Sequence, residues 1–216
     1  MMIGIREIRR IAFAVGTIDT FGHFKIKVDW KRFWLHNILV ARLTEKVGAC
    51  FREPTGIEYL SGLLHDIGKL VLEHSFPQEF ENFLSIAAER QCSHAPIEKE
   101  LLGLDHTQIG AAVCECLELN SQVIRAVLFH HDALNPCHTS DSLADGGFLA
   151  ACIAVADRLT NIGSTYLPDV KTLNPPVEKS AEWFFLSQFP TEKPFDVDLK
   201  AEIERAEQDL NAFSAK

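Results

Sequence analysis

The sequence lacks a run of apolar residues long enough to cross a membrane. The apolar stretch "FLAACIAVA" (148–156) stops at Asp157-Arg158, well short of a span. The start, "MMIGIREIRR", has no long apolar segment and no cleavage signature, so no secretory leader is predicted. A basic stripe is also missing. Lys and Arg total 21 against 30 Asp and Glu, for a net charge of −9. The densest basic cluster is Arg6, Arg9 and Arg10. Nucleic acid and membrane are therefore excluded as expected partners. A phosphate-bearing ligand would need a local device, such as a metal, to offset repulsion. Cysteine is sparse: Cys50, Cys92, Cys114, Cys116, Cys137 and Cys152 do not form a disulfide framework in a chain of this size. Reduced thiols predict a cytoplasmic protein. Cys114 and Cys116, two apart on a helix, point in different directions and make a poor metal pair. No Gly-x-Ser-x-Gly, no Gly-rich phosphate loop and no activated cysteine occurs.

Strand-like alternation is not sustained anywhere. Apolar residues instead recur at helical spacing. The pattern predicts helices over 3–16, 30–47, a stretch opened by Pro54-Thr55-Gly56 and running through "GLLHDIGKLVLEH" (62–74), then 78–90, 97–102, 106–118, 122–131, 147–162, 177–188 and 196–213. Breaks fall at 17–30, at "CSHAP", at 132–146 and at the proline-bearing "LPDVKTLNPPVEK". The fold class expected is all-α.

Several titratable residues fall on apolar stripes, among neighbours three, four and seven positions away. His36 shares its stripe with Phe33, Leu39, Val40 and Leu43. His65 and Asp66 interrupt the apolar run 62–74. His106 lines up with Ile109, Gly110 and Val113, His130 with Val123, Ala126 and Val127, and His131 with Ile124, Val127 and Leu128. Asp157 follows Ala150, Ile153 and Ala154. One such histidine alone reads as a hydrogen-bonded core residue. The constellation needs mutual satisfaction, and a divalent cation provides it, because neutral imidazole and ionised carboxylate are its ordinary ligands. One or two ions are expected opposite His65–Asp66. Mixed histidine and carboxylate sites favour iron or manganese, with zinc, magnesium or nickel also admissible. His23, His74, His94 and His138 fall in breaks or at helix ends and are expected at the surface.

The ordered series His36, "HDIGK" (65–69), "DHTQIG" with His106, "FHHD" with His130–His131, and "VADRL" with Asp157 resembles the HD superfamily of metal-dependent phosphohydrolases. Its minimal set, a His, an adjacent His-Asp and a distal Asp, matches His36, His65, Asp66 and Asp157. The further histidines match the HD-GYP branch, which holds a second metal and cleaves cyclic di-GMP. Lys69 matches a lysine thought to contact substrate phosphate in that branch. The blocks "FWLHNILVARLTEKVG", "YLSGLLHDIGKLVLEH", "EKELLGLDHTQIGAAVCECLELNSQVIRAVLFHH" and "ACIAVADRLTN" are more similar to the HDOD domain, the HD-related output domain of bacterial signalling proteins. The resemblance covers about residues 5–163. "DALNPCHTSD" replaces any Gly-Tyr-Pro motif, and Arg32 stands where dimetal relatives with a glutamate ligand would have an acid.

The resemblance implies an HD-domain-like helical bundle with metal ligands His36, His65, Asp66, His106, His130, His131 and Asp157. Asp66 and Lys69 would be the catalytic pair if a reaction occurs. It also implies three segments: 1–28, remnant of an N-terminal helical lobe in a truncated chain; 29–171, the HD-like core; and 172–216, a C-terminal helical extension. The function expected is regulatory, through protein partners, with a nucleotide or phosphate ligand and a homodimer as further options. The alternatives are a phosphohydrolase acting on nucleotides or cyclic dinucleotides, and a structural interaction module with a relic site.

Overall fold

Asp29 starts the first long helix. Its carboxylate accepts the backbone N–H groups of Lys31 and Arg32, both at 3.1 Å, which satisfies donors that a first turn leaves open. The computed structural model describes residues 16–18, 20–21, 29–90, 92–134, 147–161 and 177–213. In chain order the helices are α1 (Trp30–Gly48), α2 (Ile57–Leu64), α3 (Ile67–Ser75), α4 (Pro77–Arg90), α5 (His94–Leu102), α6 (His106–Cys116), α7 (Ser121–Phe129), α8 (Phe148–Asn161), α9 (Ala181–Leu186) and α10 (Leu199–Phe213). No strand occurs among the described residues, so the all-α expectation holds.

Helix α1 is the axis of the bundle, with α2, α8 and α10 packed against it. Phe33, Trp34, Ile38, Leu39, Val40 and Leu43 bury most of its circumference, as a helix flanked on several sides requires. Two glycine contacts set the spacing of the helices around the polar cluster. A Cβ on Gly62 would come within 2.7 Å of the Ala41 Cα, so α2 lies directly on the α1 backbone. One on Gly68 would come within 2.0 Å of the His106 carbonyl oxygen and 2.8 Å of the Gly110 nitrogen, so α3 lies on α6. A smaller apolar cluster, Leu72, Phe80, Phe83, Ala87 and Ile97, seals α4 and α5 onto α3.

Helix α10 joins α1 through charge as well as apolar packing. Glu202 is buried and accepts from Arg42 Nε at 2.9 Å, while Arg42 Nη1 donates to Asp209 at 2.8 Å. Burial works to raise the Glu202 pKa, but Arg42, Lys46 and Arg205 together hold it below its ordinary value. A carboxyl depressed in the folded state stabilises the protein above its unfolded pKa and loses that contribution as pH falls. The acid limb of a stability profile should therefore steepen below about pH 4.5, and Glu202→Gln should flatten it. Urea unfolding of both proteins from pH 6 to 3 checks this, and identical slopes would count against it.

Several boundaries differ from the sequence expectation. Residues 17–18 and 20–21 are helical where a break was expected, with Ile18 and Phe21 supplying buried apolar anchors. The expected continuous helix through 62–74 is divided at His65–Asp66, where Asp66 has φ −102° and ψ 8°. Such bridge-region backbone suits a tight turn, and the turn frees two adjacent polar side chains from diverging around a helix. Helix α5 begins at His94 rather than Ile97. The expected 177–188 helix is a 3₁₀ turn, Val177–Lys179, followed by α9. The helix expected at 3–16, apart from residue 16, the boundary at 172, His23, Cys137 and His138 lie outside the described residues. Cys50, Cys92, Cys114, Cys116 and Cys152 are free thiols, with Cys114 buried and Cys116 exposed. No described helix is long and apolar enough to cross a membrane.

Candidate metal centre

Five helices or their ends meet at one buried carboxylate. Asp66 lies in the turn between α2 and α3. His36 projects from α1, and His65 is the residue that ends α2. His106 opens α6, where Asp105 caps the helix in a reciprocal box with Gln108, fixing its first turn. His130 ends α7, itself capped by Asn120, and His131 follows it. Asp157 comes from α8.

The imidazoles surround Asp66 at distances just beyond hydrogen bonding. Asp66 Oδ1 is 3.4 Å from His106 Nε2 and 3.9 Å from His130 Nε2. Oδ2 is 3.5 Å from His65 Nε2 and 3.7 Å from His36 Nε2. His131 Nε2 lies 3.1 Å from His106 Nε2, and Asp157 Oδ1 lies 3.4 Å from His36 Nε2. The donor atoms of Asp66, His106, His130 and His131 fall within 4.8 Å of one another, as do those of His36, His65 and Asp66. Asp157 reaches the cluster through His36 and belongs to neither of these groups.

The other ring nitrogens show what the inward ones are. His65 Nδ1 is 2.8 Å from the Gly62 carbonyl oxygen, and His130 Nδ1 is 2.7 Å from that of Val127. A carbonyl only accepts, so each Nδ1 carries the proton and donates. His106 Nδ1 is 2.6 Å from Glu98 Oε2. A neutral ring protonated at Nδ1 presents a lone pair at Nε2. Three such lone pairs therefore face carboxylate oxygens, which are acceptors too. Asp66 Oδ1 and His130 Nε2 are buried without a hydrogen-bond partner. Orphaned buried polar atoms are costly, and a cation between them removes the conflict.

The electrostatics agree with neutral rings around an ionised acid. Burial pushes His36 and His65 down to about 4 against the pull of Asp66. It also lowers His106 and His130. Burial would raise Asp66, yet it is held well below its ordinary value; with the rings around it neutral, the full positive charge beside it is the Lys69 ammonium. Lys69 donates to Asp66 Oδ2 at 2.6 Å. That bond and the nearby acids raise its pKa despite burial.

Glu98 escaped the sequence reading. It is fully buried, and its Oε2 accepts the His106 backbone N–H at 2.7 Å besides facing Nδ1. Burial pushes its carboxyl up, opposed by the Lys69 charge and the His106 backbone. A carboxylate behind a ligating histidine fixes its tautomer and raises its basicity. The helical neighbours of Glu98, Leu101 and Leu102, three and four positions on, gave only a weak signal, since Leu101 is itself exposed. His94, expected at the surface, is half-buried with its ring 6.3 Å from that of Phe83. The early start of α5 carries it inward, and burial takes it down to about 4. His74 is exposed as expected.

The donor set is imidazole and carboxylate with no thiolate, which suits divalent first-row ions. The residues fit a metal by number, burial and tautomer.

Comparison with known proteins reaches the same fold. A structure of an HDOD domain protein of unknown function from Geobacter sulfurreducens superposes with TM-score 0.78 at 20% identity, covering 99% of this chain and 72% of that one. A structure from Shewanella amazonensis, described provisionally as a phosphohydrolase, gives TM-score 0.68 at 19% identity, covering 99% of this chain and 74% of that one. Another, from Marinobacter aquaeolei VT8 and described provisionally as a signal transduction protein, gives 0.68 at 20%, covering 98% and 45%. An uncharacterized protein of Treponema pallidum is 26% identical over 136 residues, 60% of this chain and 25% of that protein. The chain thus spans about a quarter of that relative. The HDOD domain family matches residues 1–133, over half the chain and through His36, the His65–Asp66 turn, His106 and His130–His131, and to this family the chain belongs.

Proposed function

We propose that this chain is a signalling output domain built around a divalent-metal centre, and that it acts by presenting helices to protein partners rather than by turnover. Family membership supports the signalling role. The single observation that carries the metal is the set of Nε2 lone pairs facing Asp66, with Oδ1 and His130 Nε2 left without partners. His36, His65, Asp66, His106, His130, His131 and Asp157 would hold the ion or ions. Iron or manganese is favoured, with zinc, magnesium and nickel as the other candidates. A relic network would satisfy its own members, and this one does not. Metal analysis of protein purified without chelator tests the reading. Near one equivalent or more is expected, and less than about half an equivalent would overturn it, because ligand-rich sites hold metal tightly.

Glu98→Gln should weaken metal binding about 10- to 100-fold while leaving the helical circular dichroism unchanged, the range typical of partners behind ligating histidines. A competition titration with a chromophoric chelator reads this directly. Unchanged affinity would remove Glu98 from the site.

A phosphohydrolase is the second reading. The Lys69 ammonium beside Asp66 and the exposed edge at His131 favour it. A bound ion would supply Lewis acidity and an acidified water, while Lys69 would bind phosphate oxygens and stabilise their charge. Hydrolysis of bis(p-nitrophenyl) phosphate that disappears in Lys69→Met would establish it over the regulatory reading.

A further inference from the structure

We infer that the face of α1 around Arg42 and Lys46 is a docking surface for an acidic amphipathic helix of a partner protein, and that α10 covers it in the free chain as a releasable clasp. This rests on the regulatory reading above and names the helix presented and the partner it fits. Charge sets α1 apart. The chain has a net charge of −9, yet α1 carries Lys31, Arg32, Arg42 and Lys46 against Glu45 alone. Arg42 and Lys46 stand four positions apart and share a face. Helix α10 is the complement, with Glu202, Glu204, Glu207 and Asp209 against Lys200 and Arg205. Arg42 Nε donates to Glu202 at 2.9 Å and its Nη1 to Asp209 at 2.8 Å, while Lys46 Nζ lies 3.3 Å from Glu202. Among the described residues, neither cation pairs with an acid outside α10.

The hold on α10 is of a kind that can let go. Its buried apolar residues are Ala206, Leu210 and Phe213, and the fourth buried residue is Glu202. Leu199 and Ile203 are half-covered. When the helices part, Glu202 and Arg42 regain hydration, which offsets much of the attraction lost. Apolar burial has no such offset. An isolated helix of this length is marginal in water, so a released α10 loses its form and holds the face weakly against a rival. The uncovered face is left with two cations and no anion beside them. A partner that lacks acids there leaves those cations unpaired, and one with two acids spaced like Glu202 and Asp209 is selected. Such a pair, seven positions apart, lies two turns along one helical face. His36 belongs to the same α1, so this helix joins the candidate metal centre to the surface.

A fluorescent peptide with the sequence of residues 198–213, titrated with the full chain and read by anisotropy, is the probe. In wild type the tethered α10 competes at an effective concentration on the order of millimolar, so the peptide should bind poorly. The Glu202→Lys, Asp209→Lys chain should bind it at least roughly tenfold more tightly, and added salt should weaken that binding. Equal affinity for the two chains would overturn the surface, as would equal binding of a peptide carrying Glu202→Gln and Asp209→Asn. In wild type, the amides of α10 should exchange hydrogen at least roughly tenfold faster than those of α1 and α2. Exchange of all three in step would overturn the clasp, and this measurement decides should the double variant fail to fold. A concentration-dependent wild-type dimer that the double variant abolishes would give the face to a second copy and overturn the partner assignment. Neither measurement needs metal or substrate. Hydrolysis lost in Lys69→Met would end the regulatory reading without changing either result, and failure here leaves the metal reading intact.

Discussion

Asp66→Asn should abolish metal uptake and destabilise the metal-free protein by about 3–5 kcal/mol. The substitution keeps the shape of the side chain and removes one charge. That charge is shared by both ligand groups, so the His106–His130–His131 group keeps no anionic donor and the His36–His65 group keeps only Asp157, which reaches it through His36. It is also the partner of Lys69 at 2.6 Å, and removing one member of a buried pair leaves the other uncompensated, which is the source of the large cost. Asp66→Asn combined with Lys69→Met should recover much of the stability but none of the metal. Urea unfolding with and without added ion, across the double-mutant cycle, separates the two effects. A single mutant that keeps its metal, or that costs under about 1 kcal/mol, would mean that Asp66 is not the centre of the cluster.

Gly68→Ala is expected to destabilise by about 3 kcal/mol, the upper part of the overpacking range. In an exposed helix interior the same change would stabilise by about 1 kcal/mol, so the sign alone tests the packing argument. The added Cβ would meet the His106 carbonyl oxygen at 2.0 Å and the Gly110 nitrogen at 2.8 Å. Both are backbone atoms and cannot swing aside. Helices α3 and α6 must separate, carrying His106 away from Asp66, so metal affinity should fall together with stability. Thermal unfolding and metal competition on one preparation measure both. A neutral or stabilising result would show that the two helices are free to part.

Much of the site was legible because its residues break a pattern. His36, His106 and His130 stand where an apolar residue is expected, and periodicity alone locates them. His131 and Asp157 were legible the same way, yet the structure leaves His131 exposed and Asp157 only partly covered. Periodicity gives a face, not a depth. Glu98 was hidden because an acid in "IEKELL" looks like ordinary helix surface, and its burial comes from α6 packing across it. Glu202 was hidden for the same reason, since its buried face is set by Arg42 on a helix 160 positions away in sequence. The division at His65–Asp66 was half legible. The polar pair marked the place, but the local propensity of 62–74 favours one helix, and the close approach of α3 to α6 at Gly68 is a tertiary fact.

The polar cluster also bears on the order in which the chain acquires its native form. Its members run from His36 to Asp157, so no short fragment contains them, and the loops between them must close first at an entropic cost. Local helical turns form rapidly, whereas contacts distant along the chain come late. A probe that responds to the assembled cluster would therefore register completion of the bundle, lagging behind the far-ultraviolet signal of its helices.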